Sequence, residues 1–242
     1  MFFIYYCVIH IYKNIKINYK VIGNGKTQIV FLHGWGGSIA SFEYICNYLP
    51  DTTCLIIDFP PFGESQEPRQ PFTIFDYAEL TLEIMRENDF VKPIIVGHSF
   101  GGRVAIILAC GNFASKLVLT ASAGLKPKRS LKYYFKVAKN KICKKFGLKI
   151  SGSKDYNALS PIMKKTFVNI VTTFLEKYAI NITVPTLLFW GKKDKETPKY
   201  MAKRFNKLIK PSHLVLVKGG HFAYIEQSNT FVHVLKYFIF HM

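Results

Sequence analysis

Residues 94–102 read IIVGHSFGG, one serine set between glycines at the end of an apolar run. Gly97 to Gly101 match G-x-S-x-G, a pattern loose enough to arise by chance. Whether Ser99 is a nucleophile or a turn serine depends on its surroundings. Serine chemistry also needs a base, an acid that orients the base, and donors for an oxyanion. PIIVG reads as a parallel strand and GGRVAIILA as a helix. A sharp turn between them lifts the hydroxyl above the carboxyl edge of the sheet, where open α/β sheets bind ligands. Gly97 and Gly101 permit the close strand-to-helix packing of such a turn, and the helix start favours developing negative charge. A helix-capping role explains the serine but not the glycines on both sides.

Runs of the same kind recur along the chain: QIVFLHG (28–34), TCLIIDF (53–59), KLVLTAS (116–122), PTLLFWG (185–191) and HLVLVKGG (213–220). Their near-continuous Val, Ile and Leu suit strands buried on both faces. Helical spacing fills the intervals, in IASFEYICNYL, TIFDYAELTLEIMREN, GGRVAIILACGN, TPKYMAKRFNKLI and TFVHVLKYFIFH. This alternation predicts a doubly wound, mostly parallel sheet. The amino-terminal IHIYKNIKINYKVIGNG reads as an edge hairpin turning near Lys13-Asn14. One interval breaks the pitch: 69 residues separate the starts of KLVLTAS and PTLLFWG, against 23 to 40 between earlier neighbours. The organisation expected is an α/β core over 1–124 and 182–242, with a helical lid over 125–181.

The remaining chemistry should come from other strand ends. After the last strand, His221 follows Gly219-Gly220 on a loop; the other six histidines are assigned to structure or surface. After PTLLFWG comes Asp194, the candidate orienting acid, with Glu196 as its rival. After the first parallel strand the Gly-rich HGWGGS offers the backbone N–H of Trp35, which with that of Phe100 would point two donors at one oxyanion. Gly-rich loop, serine turn, Asp and His thus occur in order, each at a strand end.

The chain has 242 residues, 49% hydrophobic, enough for one substantial domain. Five scattered cysteines with no C-x-x-C pair point to free thiols in a reducing, cytoplasmic setting, and no cluster has metal-ligand spacing. MFFIYYCVIHIY is too short for a transmembrane segment and lacks the basic start and cleavage site of a signal peptide. Formal charge is +18, and residues 125–181 hold 14 Lys and Arg against Asp155 and Glu176. Such a run is either a solvated helix face or the docking site of an acidic partner. No nucleic-acid-binding motif accompanies it.

At HGWGG, DFPPFGES (58–65), GHSFGG, GKKD and GGHFAYIEQ the sequence resembles the α/β-hydrolase superfamily, in the right order over nearly the whole chain. Pro61 departs from the glycine usual in the D-x-P-G-x-G-x-S turn. The resemblance implies an eight-stranded sheet with a helical lid after strand six, no cofactor, and catalytic Ser99, Asp194 and His221 with an oxyanion hole at Trp35 and Phe100. It implies a carboxylesterase-like serine hydrolase acting on a small-molecule ester. Acyl-carrier-protein methyl ester esterases, carbon–carbon bond hydrolases and non-catalytic hydrolase-fold receptors share the pattern; the first would dock its acidic carrier on the lid. Arg103 either contacts a substrate carboxylate or caps the sheet. The lid residues Tyr133, Tyr134, Phe135, Met163, Phe167 and Phe174 either wall an acyl pocket or pack the lid onto the body.

Overall fold

The computed structural model describes residues 5–128 and 154–242. The strands are β1 (Tyr5–Tyr12), β2 (Ile15–Ile22), β3 (Thr27–Leu32), β4 (Thr52–Ile57), β5 (Ile94–His98), β6 (Lys116–Thr120), β7 (Thr186–Gly191) and β8 (Ser212–Val217). They form one sheet in the order β1-β2-β4-β3-β5-β6-β7-β8. β1 pairs antiparallel with β2, and β2 with β4; the pairs from β4 through β8 are parallel. All six apolar runs are therefore parallel strands, and the hairpin sits at the edge.

Each central strand divides its side chains between two cores. On β3, Val30 and Leu32 enter one cluster, Ile29 and Phe31 the other; on β7, Leu188 and Trp190 oppose Leu187 and Phe189. Period-two alternation with apolar residues on both sides requires cover on both faces. The helices supplying it are α1 (Glu43–Cys46), α2 (Ile74–Glu87), α3 (Phe100–Cys110), α4 (Lys154–Ala158), α5 (Pro161–Thr172), α6 (Glu176–Ala179), α7 (Lys199–Leu208), α8 (Ala223–Glu226) and α9 (Ser228–His241). α2, α3 and α7 bury residues in the first cluster; α1 and α9 do so in the second. The expected helix over 39–49 is broken into a 3₁₀ turn, Ile39–Ser41, and the single turn of α1. Aromatic and hydroxyl residues weaken helix propensity there, and burial of Phe42, Ile45 and Leu49 sets the path instead.

The described part of the long insertion is helical and follows β6. It is tied closely to the body. Ile170, Leu175 and Ala179 share the first core cluster. Phe72 N–H donates to Thr166 Oγ1 (3.0 Å), and Leu175 N–H to Gly124 O (2.8 Å). Tyr133, Tyr134, Phe135 and eight of the insertion's 14 cationic residues lie outside the described residues.

The hairpin turns on Lys13 (φ 46°) and Asn14 (φ 61°), the two left-handed positions of a type I′ turn. The Tyr12 hydroxyl donates to Glu79, Lys13 pairs with Asp76, and His10 lies between Glu83 (3.2 Å) and Glu87 (2.8 Å), all on α2. A β-branched side chain cannot occupy a left-handed position without strain. Asn14→Val is expected to lower stability by about 1–2 kcal/mol in urea unfolding, and Asn14→Gly to leave it unchanged or raise it.

Candidate active site

The strand order reverses at β3, whose neighbours are β4 and β5, so a crevice opens at the carboxyl ends of β3 and β5. Ser99 stands there, between β5 and α3, at φ 49° and ψ −107°. Its side chain makes no capping hydrogen bond, so the helix-cap explanation is removed. A positive φ on serine costs on the order of 1–3 kcal/mol and persists only where the surroundings fix it. Here they do. Ser99 N–H donates to Thr120 O (3.1 Å), and Ser99 O accepts from Ala123 N–H (3.0 Å). A Cβ at Gly101 would lie 2.1 Å from Leu32 O, and one at Gly97 2.6 Å from Gly101 O. Only glycine allows helix and strands to approach so closely.

The loop after β7 carries Asp194 and the loop after β8 carries His221. His221 Nδ1 lies 3.0 Å from Asp194 Oδ2, both side chains buried. Asp194 Oδ1 accepts from the N–H groups of Glu196 and Thr197, each at 2.9 Å, and Oδ2 lies 2.8 Å from the Thr197 hydroxyl. Burial alone would push this carboxyl up, but the hydrogen bonds from His221 and Thr197 outweigh it and hold it below its usual value. Asp194, not Glu196, is the acid at His221 Nδ1. Glu196 Oε2 lies 3.3 Å from the other ring nitrogen, His221 Nε2. Ser99 Oγ has no hydrogen-bond partner among the described residues.

The Gly-rich loop after β3 is pinned from beneath. Phe59 N–H donates to His33 Nε2 (2.9 Å), which leaves His33 Nδ1–H to donate to Gly34 O (2.8 Å). Buried Asp58 accepts from Ile39 N–H (2.7 Å), Glu64 N–H (3.0 Å) and Asn18 Nδ2 (2.8 Å), which fixes the adjoining turn. The amides of Trp35 and Phe100 donate to no acceptor among the described residues. Both residues border one cavity of about 550 Å³ with Ser99, His98, Arg103, Phe167, Glu196 and His221.

Met163 is buried and does not line that cavity; Phe167 does, its ring 5.3 Å from that of Trp35. Arg103 is buried and donates from Nη1 to Ile170 O (2.9 Å) and Thr173 O (2.8 Å), holding the carboxyl end of α5. Burial lowers its guanidinium to about 10, so it stays cationic at neutral pH. No described carboxylate forms an ion pair with it. Among the described residues no group of three or more His, Cys, Asp or Glu is arranged to hold a metal ion, and no helix is long and apolar enough to cross a membrane.

Sequence reasoning passed over two residues here. His98, assigned to the structural background, has its ring 4.8 Å from that of His221 and its Nδ1 3.1 Å from both Thr120 O and Thr120 Oγ1. Its place just before Ser99 at a strand end was the available signal. Thr197 was readable only as a hydroxyl three residues beyond an aspartate.

Residues 27–151, more than half of the chain, match the family profile of the alpha/beta hydrolase fold. The chain belongs to that family. It is similar to the AB hydrolase superfamily protein YisY of Bacillus subtilis (strain 168), 28% identical over 86% of this chain and 89% of that protein. It is also similar to a pimeloyl-acyl-carrier-protein methyl ester esterase of Wigglesworthia glossinidia brevipalpis, 22% identical over 91% and 96%. Among solved structures, an esterase (EaEST) from Exiguobacterium antarcticum shares the fold of this α/β-hydrolase with a TM-score of 0.77, 22% identity and coverage of 96% and 98%.

Burial pushes His98 down to about 3 from 6.5, with the neighbouring His221 adding to the effect. The unfolded chain therefore binds a proton that the folded chain refuses between these two values, and acid favours unfolding across that window. Acidification from pH 7 to 5 should cost about 2 kcal/mol through this one group. Urea unfolding of His98→Asn should show a correspondingly weaker dependence on pH.

Proposed function

We propose that this α/β-hydrolase is a serine hydrolase cleaving a carboxylic ester, or a related acyl bond, of a small molecule. The observation that carries the reading is Ser99 itself. A strained, glycine-flanked serine caps nothing and opens into a cavity shared with an imidazole whose far nitrogen is fixed by a buried carboxylate. In this reading His221 Nε2 takes the Ser99 Oγ proton as Oγ attacks the carbonyl carbon. The negative charge moves to the former carbonyl oxygen, where the N–H groups of Trp35 and Phe100 receive it. Collapse expels the alcohol with the proton from His221. Water, deprotonated by the same ring, then releases the acid and restores Ser99. Asp194 holds the ring with Nδ1–H toward itself and stabilises the imidazolium. Ser99 Oγ and His221 Nε2 must come into hydrogen-bond contact on substrate binding, a tightening common in sites that are loose without substrate.

Phe167 and Trp35 supply the apolar wall for the acyl or alkyl group. Arg103, a buried cation within the field of Glu176 but in no direct ion pair with a described carboxylate, is the proposed partner for an anionic group on the substrate. Ser99→Ala should reduce turnover of a short p-nitrophenyl ester by about 10⁴-fold or more. Its circular dichroism and urea midpoint should match the wild type; a variant that still turns the ester over would end this reading.

One observation favours a sharper substrate: the excess of lysine and arginine over acid across 125–181. A strongly acidic carrier presenting a methyl ester would be drawn to so basic a segment, as the name of the Wigglesworthia relative suggests. Turnover of a carrier-bound ester should then fall steeply between 50 and 500 mM salt (~10-fold), while that of a free small ester stays level. A salt-independent rate on the carrier substrate would favour the small-molecule reading alone.

A further inference from the structure

In the described structure both ring nitrogens of His221 face carboxylates from one loop. Asp194, buried, lies at Nδ1, and Glu196 lies at Nε2 with its side chain 68% exposed. The two acids are coupled through the backbone, since Glu196 N–H donates to Asp194 Oδ1. Glu196 also lines the cavity that holds Ser99, whose hydroxyl has no hydrogen-bond partner among the described residues. The nitrogen assigned to deprotonate the serine thus has a carboxylate oxygen 3.3 Å away, while the serine hydroxyl is bonded to none of the described residues.

We infer that Glu196 is a positioning residue, a latch that holds the protonated ring of His221 away from Ser99 until the ring loses its proton or a substrate displaces the carboxylate. The inference rests on the hydrolase reading above. The chemistry is an exchange of partners with no bond made or broken. A protonated ring carries positive charge 3.3 Å from the Glu196 carboxylate and is attracted to it, whereas a neutral ring presents at Nε2 a lone pair that the carboxylate repels and the Ser99 hydroxyl can use. Exposure matters to this role. A buried carboxylate at Nε2 would bind the ring permanently, while one on the solvent side is weakly held and can swing out.

No other charge facing the ring offers the same control. Asp194 lies at the opposite nitrogen and is held by Thr197 as well. His98, from the end of β5, is kept neutral by burial. The Thr197 hydroxyl, 3.4 Å from Nδ1, carries no charge, and Phe222 contributes only its ring. Among the described residues, no lysine or arginine forms a contact with Glu196 that would draw it from the ring.

The test compares pH profiles of kcat/KM for a neutral p-nitrophenyl ester in wild type and Glu196→Gln at low salt. Removing the carboxylate should raise kcat/KM on the acid limb of the profile. On that limb the variant should be about two- to threefold faster than wild type. Raising salt to 0.5 M should shrink the difference, because the carboxylate is exposed. Fluorophosphonate labelling of Ser99 at acidic pH should be faster in the variant by a similar factor. Superimposable profiles, or a lower plateau in Glu196→Gln, would overturn the latch while leaving the hydrolase reading in place. Absence of both turnover and labelling in the wild type at every pH would overturn the hydrolase reading, and the latch with it.

Discussion

Burial of the parallel strands on both faces governs where anything polar can sit in this molecule. Strands β3 to β7 send alternate apolar side chains into two separate cores, each covered by helices. Inside those layers an unpaired polar group is costly, so chemistry is confined to the strand ends. Because the strands run parallel, their carboxyl ends share one edge, and the loops after β3, β5, β7 and β8 meet there without regard to sequence distance. His221 and Asp194, 27 residues apart, touch for this reason.

Strain and rigidity complement each other at that edge. Ser99 holds an unfavourable φ because the end of β6 and the segment after it bind both its backbone polar groups and because Gly97 and Gly101 let α3 press against the strands. Side-chain pins then hold the neighbouring loops: His33 bridges two of them, Asp58 closes the turn after β4, and Thr197 fixes Asp194. Each pin satisfies a group that burial would otherwise leave unpaired. The result is a preorganised rim around a cavity, with Glu196 as an exposed and weakly held member.

The insertion after β6 belongs to the same structure through two interactions of different kinds. Its apolar residues Ile170 and Leu175 join the body's core, and Arg103 on α3 grips the carbonyls at the end of α5. The same arginine borders the cavity, so the mount of the insertion and the floor of the proposed substrate site are one side chain. Its side-chain hydrogen bonds run to Ile170 and Thr173 of the insertion and not to the sheet.

Much of this was legible in the amino-acid sequence because it is local. Buried parallel strands must be continuous apolar runs, type I′ turns want residues tolerant of positive φ, and a tight strand-to-helix turn needs small residues on both sides of Ser99. The order of Gly-rich loop, serine, aspartate and histidine at strand ends also follows from the one-dimensional pattern. What the sequence left open was decided by distances between segments. Asp194 and Glu196 are two residues apart and chemically alike, and only the packed fold puts one at Nδ1 and the other at Nε2 of His221. Met163 and Phe167 sit one turn apart on the same face of one helix, and its placement along the body buries the first and brings the second to the cavity. Pattern fixes which residues can lie on a surface or at an edge. Partner choice among them is a three-dimensional matter, because it depends on the orientation of whole elements that no local rule specifies.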